Sequence, residues 1–385
     1  MSSSFLPRIA KLAYVAGMLT LASVGTLNAL AKVIADYPLN GVEATAKEPA
    51  ISFKALWNEQ FQKEATAWFE QHWGLRGYAA RTDNTIVFRL FGESRAGGNS
   101  VSRDGVLIHA EDLTYVNRSD DSKGVIAFGE LLARVQQKMR RQGQVLVPVI
   151  IPAKTSFYRR HVPSKWQRRG SYELSDTNLY GAFVATLNKA GVVFVDSRAL
   201  LSDPPKRPEE IFAPTGRHWR ISGACRVLQA VLDAARPELP ELGSDQLDCR
   251  TRIAETVDIE AEDLDLFRLL NVWGNPPASV AVEVLDAKAP AGAVKLPTLF
   301  VGSSFVWAWT RVSSQLRVLQ PSLFYYYDSS VVDTTTLLIT KKVEPFTDGW
   351  REDTFGKRLV VLGILESYLP EDGAKFLNEV DKAIE

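Results

Sequence analysis

The sequence predicts an α/β fold, with a mainly parallel sheet flanked by helices and a membrane segment at the N-terminus. Short apolar runs at residues 145–151, 192–195 and 359–365 are typical of buried strands. They alternate with segments of helical spacing, and this alternation indicates a parallel sheet covered by helices on both faces. The predicted helices cover residues 125–142, 179–190, 223–235 and 308–316.

The first thirty residues indicate where the protein resides. Arg8 and Lys11 precede an uncharged apolar run at residues 12–31, and the next charge is Lys32. Basic residues stay on the cytoplasmic side of a membrane, so the rest of the chain is expected in the periplasm. The run is long enough to span a bilayer, but Ala29-Leu30-Ala31 also fits a secretory cleavage site. A cleaved signal peptide and a retained inner-membrane anchor both remain open, and we expect the anchor.

Three segments follow from this pattern. Residues 1–35 form the signal-anchor or signal peptide, residues 36–52 a polar linker, and residues 53–385 the main domain. Within that domain, helical spacing and many aromatic residues over 53–91 predict amphipathic helices. The Asp-Gly pair within residues 103–105 predicts a hairpin turn.

Composition restricts the classes of partner and cofactor. The chain of 385 residues has 45 Lys and Arg against 45 Asp and Glu, so its formal net charge is zero. This balance gives no electrostatic argument for nucleic acid. The two cysteines, Cys225 and Cys249, either close a disulfide in an oxidising compartment or remain buried thiols. Together with four scattered histidines they show no zinc-ligand spacing, and we predict no metal and no other cofactor.

Two short patches carry the candidate chemistry. An apolar run at 296–301 breaks at Gly302, and Ser303 and Ser304 follow where a helix can begin. At the carboxyl edge of an α/β sheet, backbone amides at such a helix start can hold an oxyanion. A serine hydroxyl needs a neighbouring base to become a nucleophile, and His218 is the candidate base. The structural alternative is that Ser304 only caps the helix and His218 is a buried structural residue.

These patches resemble the alginate O-acetyltransferase AlgX/AlgJ-type family. The family pattern Gly-(Asp/Thr/Ser)-Ser-(Phe/Tyr) stands intact at residues 302–305, and the His-Trp of its Asp-Thr-His-Trp motif stands at His218 and Trp219. Gly216 occupies the position of the family's aspartate. Weaker likenesses follow in the family's order at residues 68–76, 101–107, 150–154, 195–196 and 365–369, so the resemblance spans roughly residues 55–370.

The resemblance implies an SGNH-hydrolase-like domain and an activity. The chain would be an exported O-acetyltransferase or acetylesterase acting on an extracellular polysaccharide. Ser304 would form an acetyl-enzyme with His218 as base, and Gly302 and Ser303 would support the oxyanion. The resemblance also implies a membrane-bound O-acyltransferase partner that supplies the acetyl donor. Lys154, Arg217 and Trp219 are candidate substrate-binding residues.

The missing aspartate leaves three interpretations open. Another carboxylate takes the place of the acid, with Asp196 as a candidate because it follows a predicted strand. Alternatively, Ser304 and His218 act as a dyad whose ring is oriented by a backbone carbonyl. In the third, the site is degenerate and the protein is a non-catalytic polysaccharide-binding or assembly component. Arg217 adds a further constraint, since a cation near the ring would disfavour the imidazolium.

Overall fold

The computed structural model describes residues 5–384 with internal gaps, and these residues divide into two compact units. One unit comprises Met1–Gly97 with Phe267–Asn275, and the other comprises Gly98–Leu266 with Pro276–Glu385. The expected division into an anchor, a linker and a single domain from residue 53 stays a prediction. The gaps in the description are residues 36, 43–44, 103, 117–121, 168–178, 205, 255–261, 276–280, 290–295, 343–345 and 347–348.

The first unit is helical. Its first helix contains the one described segment, Ala10–Ala29, that is long and apolar enough to cross a membrane. The last turns of this helix pack within the unit, because Asn28 is buried and donates to the carbonyl oxygen of Gly74 at 2.8 Å. Three further helices cover most of residues 53–91, as the helical spacing of that segment predicts. The helices are α1 (Phe5–Ala31), α2 (Phe53–Trp57), α3 (Gln60–His72) and α4 (Arg76–Phe91).

The second unit contains the strands and the remaining helices, except that residues 267–269 of α12 belong to the first unit. The strands are β1 (Asn99–Val101), β2 (Leu107–His109), β3 (Val145–Ile151), β4 (Val195–Asp196), β5 (Thr251–Ile253), β6 (Glu283–Leu285), β7 (Thr298–Gly302), β8 (Ser322–Tyr326), β9 (Ser330–Asp333), β10 (Leu338–Lys342) and β11 (Leu359–Leu365). The helices are α5 (Ala110–Val116), α6 (Ser122–Arg141), α7 (Lys154–Phe157), α8 (Ser164–Gln167), α9 (Leu179–Lys189), α10 (Ser197–Ser202), α11 (Ile221–Ala235), α12 (Asp265–Leu269), α13 (Val306–Leu316), α14 (Trp350–Phe355) and α15 (Ala374–Ala383).

A seven-stranded sheet organises this unit. Its strand order is β10-β9-β8-β7-β11-β3-β4, in which β8, β7, β11, β3 and β4 run parallel while β9 and β10 add an antiparallel edge. The predicted mainly parallel α/β fold is confirmed. The carboxyl ends of the parallel strands meet at one edge, so the loops that follow β3 and β7 come together there.

The central strands are buried on both faces. All seven residues of β3 and of β11 are buried. Successive residues enter opposite hydrophobic clusters: Val147 and Val361 belong to one cluster, and their neighbours Leu146 and Val360 belong to the other. This is the period of two expected for a strand, and burial on both faces explains why the sequence shows an unbroken apolar run.

Two smaller features complete the unit. Strands β1 and β2 pair antiparallel around Gly105, as the Asp-Gly pair predicts, although Arg103 lies outside the described residues. Cys225 on α11 forms a disulfide with Cys249. Of the two alternatives for the cysteines, the structure therefore contains the disulfide.

Candidate active site

Ser304 lies at the point where the chain leaves strand β7 and enters helix α13. The strand ends at Gly302, whose φ of +148° is a conformation that side chains rarely adopt. A Cβ there would also lie 2.8 Å from the carbonyl oxygen of Gly363. Glycine is therefore required at this exit from the sheet. It leaves Ser303 buried and Ser304 half-buried at the carboxyl edge.

His218 lies on the loop that precedes helix α11. Its neighbour Trp219 is fully buried and forms a bridge with Phe212. The indole Nε1 of Trp219 donates to the carbonyl oxygen of Phe305 at 3.2 Å. The residue after His218 is thus hydrogen-bonded to the residue after Ser304. This contact holds the histidine loop against the nucleophile turn.

The two candidate catalytic side chains meet. Nε2 of His218 lies 2.7 Å from Oγ of Ser304, and Nδ1 of the same ring lies 2.5 Å from Oδ2 of Asp265. A carboxylate only accepts hydrogen bonds, so Nδ1–H donates to Asp265. The other ring nitrogen is then free to accept the proton of Ser304. The three residues form the geometry of a Ser-His-Asp triad.

Asp265 is itself held in place at the start of helix α12. Its Oδ1 accepts hydrogen bonds from the backbone amides of Arg217 at 2.7 Å and Leu266 at 2.6 Å. Burial tends to raise the pKa of Asp265, but the charge and hydrogen bond of His218 and the two amides outweigh it and lower the pKa. The carboxylate therefore stays ionised beside the ring.

The histidine shows the complementary shift. Burial lowers the pKa of His218, but the charge of Asp265 and the hydrogen bond to it outweigh burial and raise the pKa above its ordinary value. The opposite shifts of the two partners indicate that the site stabilises an imidazolium next to a carboxylate. This is the charge distribution that forms when a histidine takes a proton from serine.

Gly216 has a steric reason to be glycine. A Cβ at this position would lie 2.5 Å from the backbone carbonyl oxygen of Glu262 and 3.0 Å from backbone atoms of Asp263. The segment that carries Asp265 therefore packs where a side chain of residue 216 would project. Among the three interpretations of the missing aspartate, this geometry matches the one in which another carboxylate takes its place.

That carboxylate is not Asp196. Oδ1 of Asp196 accepts from the backbone amide of Ala199 at 3.1 Å and caps helix α10, and Oδ2 accepts from the hydroxyl of Tyr180 at 2.6 Å. Both oxygens thus serve a local structural role. The expectation for Asp196 rested on its position after a strand, which does not determine which loop faces His218.

Two of the candidate substrate-binding residues are buried. Trp219 packs against Trp309 with ring centroids 5.3 Å apart and presents no face to a sugar. Lys154 is also fully buried, and its ammonium donates to backbone carbonyl oxygens rather than pointing to the surface. The burial of both side chains does not favour the expectation that they contact substrate, which stays a prediction.

Arg217 is engaged by other side chains. Its guanidinium donates to the carboxylate of Glu111 at 2.7 Å and to the hydroxyl of Tyr368 at 3.2 Å. These contacts direct the cation to Glu111, so the arginine does not prevent the raised pKa of His218. A role of Arg217 in substrate binding stays a prediction.

Two residues of the site were not assigned a catalytic role from the sequence. Asp265 follows two other acidic residues, Glu262 and Asp263, and no motif distinguishes it from them. Tyr327 lies beyond strand β8, and its hydroxyl is 3.3 Å from Oγ of Ser304. The local signal was only a run of three tyrosines, whose packing is the ordinary interpretation.

The described residues show no arrangement that fits a metal centre. Within the part of the chain that the structure describes, no group of three or more His, Cys, Asp or Glu side chains is placed to hold an ion. The side chains joined by hydrogen bonds at the site are those of His218, Asp265, Ser304 and Tyr327.

Comparison with known proteins gives a family match over more than half of the chain. A family model described as "SGNH hydrolase-like domain, acetyltransferase AlgX" matches residues 102–331. Two curated proteins, each named probable alginate O-acetylase AlgJ, are similar: that of Pseudomonas syringae pv. tomato is 26% identical over 175 residues, and that of Pseudomonas fluorescens 25% over 170. Each match covers 43% of this chain and 40% of the relative, so the chain matches less than half of the length of either protein.

Solved structures with a similar fold include two from Pseudomonas, the genus of the two curated relatives. The O-acetyltransferase domain of Pseudomonas putida AlgJ is 19% identical, with a TM-score of 0.48 over 74% of this chain and 99% of that one. Pseudomonas aeruginosa AlgX is 16% identical, with a TM-score of 0.44 over 69% of this chain and 61% of that one.

Proposed function

The chain belongs to the SGNH hydrolase-like domain family of the acetyltransferase AlgX, and we propose that it is an O-acetyltransferase acting on an extracellular polysaccharide. The observation that carries the proposal is the hydrogen-bonded series from Ser304 through His218 to Asp265. Such a series lets a serine hydroxyl act as a nucleophile at neutral pH. The names of the curated relatives support polysaccharide as the acceptor class.

The first half-reaction forms an acetyl-enzyme. Oγ of Ser304 attacks the carbonyl carbon of the acetyl donor while Nε2 of His218 takes the hydroxyl proton. The tetrahedral intermediate collapses when the bond to the leaving group breaks, and His218 returns the proton to that group. Asp265 holds the ring in the required tautomer and stabilises the transient imidazolium.

The second half-reaction transfers the acetyl group. A sugar hydroxyl gives its proton to His218 and attacks the acetyl carbonyl, the bond to Oγ of Ser304 breaks, and the proton returns to the serine. Water in place of the sugar would make the protein an acetylesterase. The side of Ser304 that faces solvent is where the acceptor must approach, since Ser303 and Trp219 are buried.

The developing oxyanion needs hydrogen-bond donors. We assign this role to the backbone amide of Ser304 at the start of helix α13 and to the hydroxyl of Tyr327, which lies 3.3 Å from the serine oxygen. Gly302 and Ser303 support the site by shaping the turn that presents these groups.

The cellular setting is part of the proposal. Export is supported by the disulfide between Cys225 and Cys249, because such bonds persist in oxidising compartments. Attachment to the inner membrane is supported by the apolar segment Ala10–Ala29. A membrane-bound O-acyltransferase that delivers the acetyl group is the partner that follows from the family resemblance. A non-catalytic binding protein is the less favoured function, because such a protein needs no carboxylate at the His218 ring.

The experiment is a test of serine-dependent ester cleavage. The full-length protein in detergent is mixed with a chromogenic acetyl ester, and release of the chromophore is followed for wild type, Ser304→Ala and the control Ser314→Ala. Loss of activity on the order of 10³-fold is expected for Ser304→Ala alone. Equal rates for Ser304→Ala and wild type would refute the proposal.

A further inference from the structure

Lys154 is a buried lysine that contacts the loop preceding helix α11, which carries His218. It follows strand β3 at the same sheet edge as Ser304, and its side chain has no exposed surface. Its Nζ donates to three backbone carbonyl oxygens of one loop: those of Ala213 at 2.8 Å, Pro214 at 2.9 Å and Gly216 at 2.6 Å. An ammonium has three N–H donors, so the loop satisfies all of them.

The shortest of these contacts acts on the peptide unit that joins Gly216 to Arg217. Its carbonyl oxygen accepts from Lys154 at 2.6 Å, and its N–H donates to Oδ1 of Asp265 at 2.7 Å. One peptide plane is therefore held between a cation and an anion. A carbonyl that accepts a charge-assisted hydrogen bond polarises its amide, which strengthens the N–H as a donor.

The hydrogen-bonded series continues to the nucleophile. Oδ2 of Asp265 contacts Nδ1 of His218, and Nε2 of His218 contacts Ser304. The space beside Gly216, where a Cβ would project, is occupied by the backbone of Glu262 and Asp263, which limits how far this peptide can shift. This peptide is thus one of the groups that orient the carboxylate of Asp265, together with the amide of Leu266 and the His218 ring.

We propose that Lys154 is a positioning residue that orients Asp265, and through it His218, by fixing the Gly216–Arg217 peptide. The inference rests on the proposed function, since it assigns Lys154 to the same site. Lys154 contacts neither the nucleophile nor its base. Because Asp265 comes from a different segment of the chain than His218, a contact must hold it in register with the histidine loop. Lys154 fixes the peptide that makes this contact.

The protonation state of Lys154 sets how many of these contacts it can make. Burial lowers its pKa to about 7, whereas the nearby carboxylates of Asp265, Asp112 and Asp263 oppose the shift and Arg220 adds to it. In the ammonium form all three carbonyl contacts are satisfied, and a neutral amine retains donors for only two of them.

The test measures the pKa of His218 by NMR. Full-length protein with ¹⁵N-labelled histidine is titrated in detergent as wild type, Lys154→Met and the control Lys138→Met. Lys138 also donates to two carbonyl oxygens, those of Asp381 and Ile384, but lies on helix α6. The resonance of His218 among the four histidines is assigned by its loss in His218→Gln.

The direction of the shift distinguishes the alternatives. If Lys154 positions Asp265, loss of the lysine weakens the hydrogen bond between Asp265 and the His218 ring, and the pKa of His218 falls by ~1 unit. If Lys154 supplies only packing, removal of a nearby positive charge leaves the pKa unchanged or raises it, and the proposal is overturned. Lys138→Met is expected to have no effect on the pKa of His218. If Lys154→Met does not fold, Lys154→Gln serves the same test, with a smaller fall expected.

Kinetics give a second readout. Lys154→Met is expected to lower kcat on the order of 10–100-fold while KM for the acetyl ester changes little. An unchanged kcat would contradict the positioning role. The NMR result does not depend on turnover, so it separates this inference from the proposed function. Failure of Ser304→Ala to lower activity would remove the acetyl-enzyme while leaving the effect of Lys154 on His218 measurable.

Discussion

The carboxylate of Asp265 lies 2.5 Å from Nδ1 of His218, although the two residues are 47 positions apart in the sequence. The family motif places the acid two residues before the histidine, where this chain has Gly216. The space that a side chain at 216 would need is occupied by the backbone of Glu262. The absence of a side chain at Gly216 therefore leaves room for the segment that brings Asp265 to His218.

The first prediction concerns the role of Asp265 as the orienting acid. In Asp265→Asn the amide can present its N–H₂ to Nδ1 and favour the wrong tautomer, so kcat should fall on the order of 10³–10⁴-fold. Steady-state hydrolysis of an acetyl ester measures the loss. The matched control is Asp196→Asn, which keeps an acceptor for the amide of Ala199 and should retain wild-type activity.

An aspartate at the family position should not rescue this variant. In the double variant Gly216→Asp with Asp265→Asn, the new side chain would meet the carbonyl oxygen of Glu262 at its first carbon. Recovery of activity in the double variant would show that the loop can accommodate the acid and that the steric argument is wrong.

The second prediction concerns pH. His218 must be neutral to accept the proton of Ser304, and its pKa lies above the ordinary value of 6.5 because Asp265 outweighs the effect of burial. The rate should therefore rise with pH through a midpoint above 6.5. Loss of the carboxylate in Asp265→Asn should move that midpoint to lower pH. A pH profile of kcat/KM measures both, and an unmoved midpoint would contradict the assignment.

The third prediction compares two glycines in the same unit. Gly216→Ala places its Cβ 2.5 Å from a carbonyl oxygen and should lower the free energy of unfolding by about 1–3 kcal/mol. In Gly223→Ala the nearest atom is 3.6 Å away on Leu201, so the helix should be unchanged or stabilised by up to ~1 kcal/mol. Thermal unfolding monitored by circular dichroism tests the pair. Equal Tm values for the two variants would refute the steric explanation.

The fourth prediction concerns Tyr327. Its hydroxyl is 3.3 Å from the serine oxygen and is assigned to the oxyanion, so Tyr327→Phe should lower kcat on the order of 10²-fold with little change in KM. Tyr325→Phe is the control, because that hydroxyl donates to Asp353 instead. A loss confined to KM would point to a role in binding rather than in stabilising charge.

The central strands could be predicted, because burial on both faces requires an unbroken run of apolar residues. Strands β3 and β11 appear as apolar runs because both faces are covered. Strand β4 is shorter than the predicted 192–195, since it pairs with β3 only at Val195 and Asp196. The antiparallel edge formed by β9 and β10 was not predicted, because exposed Leu338 and Ile339 give no clear alternation.

The site could be predicted only where its residues carry a local pattern. Ser304 and His218 stand in recognisable motifs, and the structure brings them together. Asp265 could not be identified, since its role depends on a contact between distant segments and its neighbours Glu262 and Asp263 look equivalent in the sequence. The burial of Lys154 was missed because a lysine after a strand is ordinarily solvated.

The proposed mechanism requires Ser304 to carry the acetyl group between donor and acceptor. The direct measurement is mass spectrometry of the protein after brief incubation with an acetyl ester and acid quenching, followed by peptide mapping. One acetyl group is expected on the peptide that contains Ser304; it should be absent in Ser304→Ala and strongly reduced in His218→Gln. Turnover of the ester without acetylation at Ser304, or acetylation that persists in Ser304→Ala, would contradict the proposed mechanism.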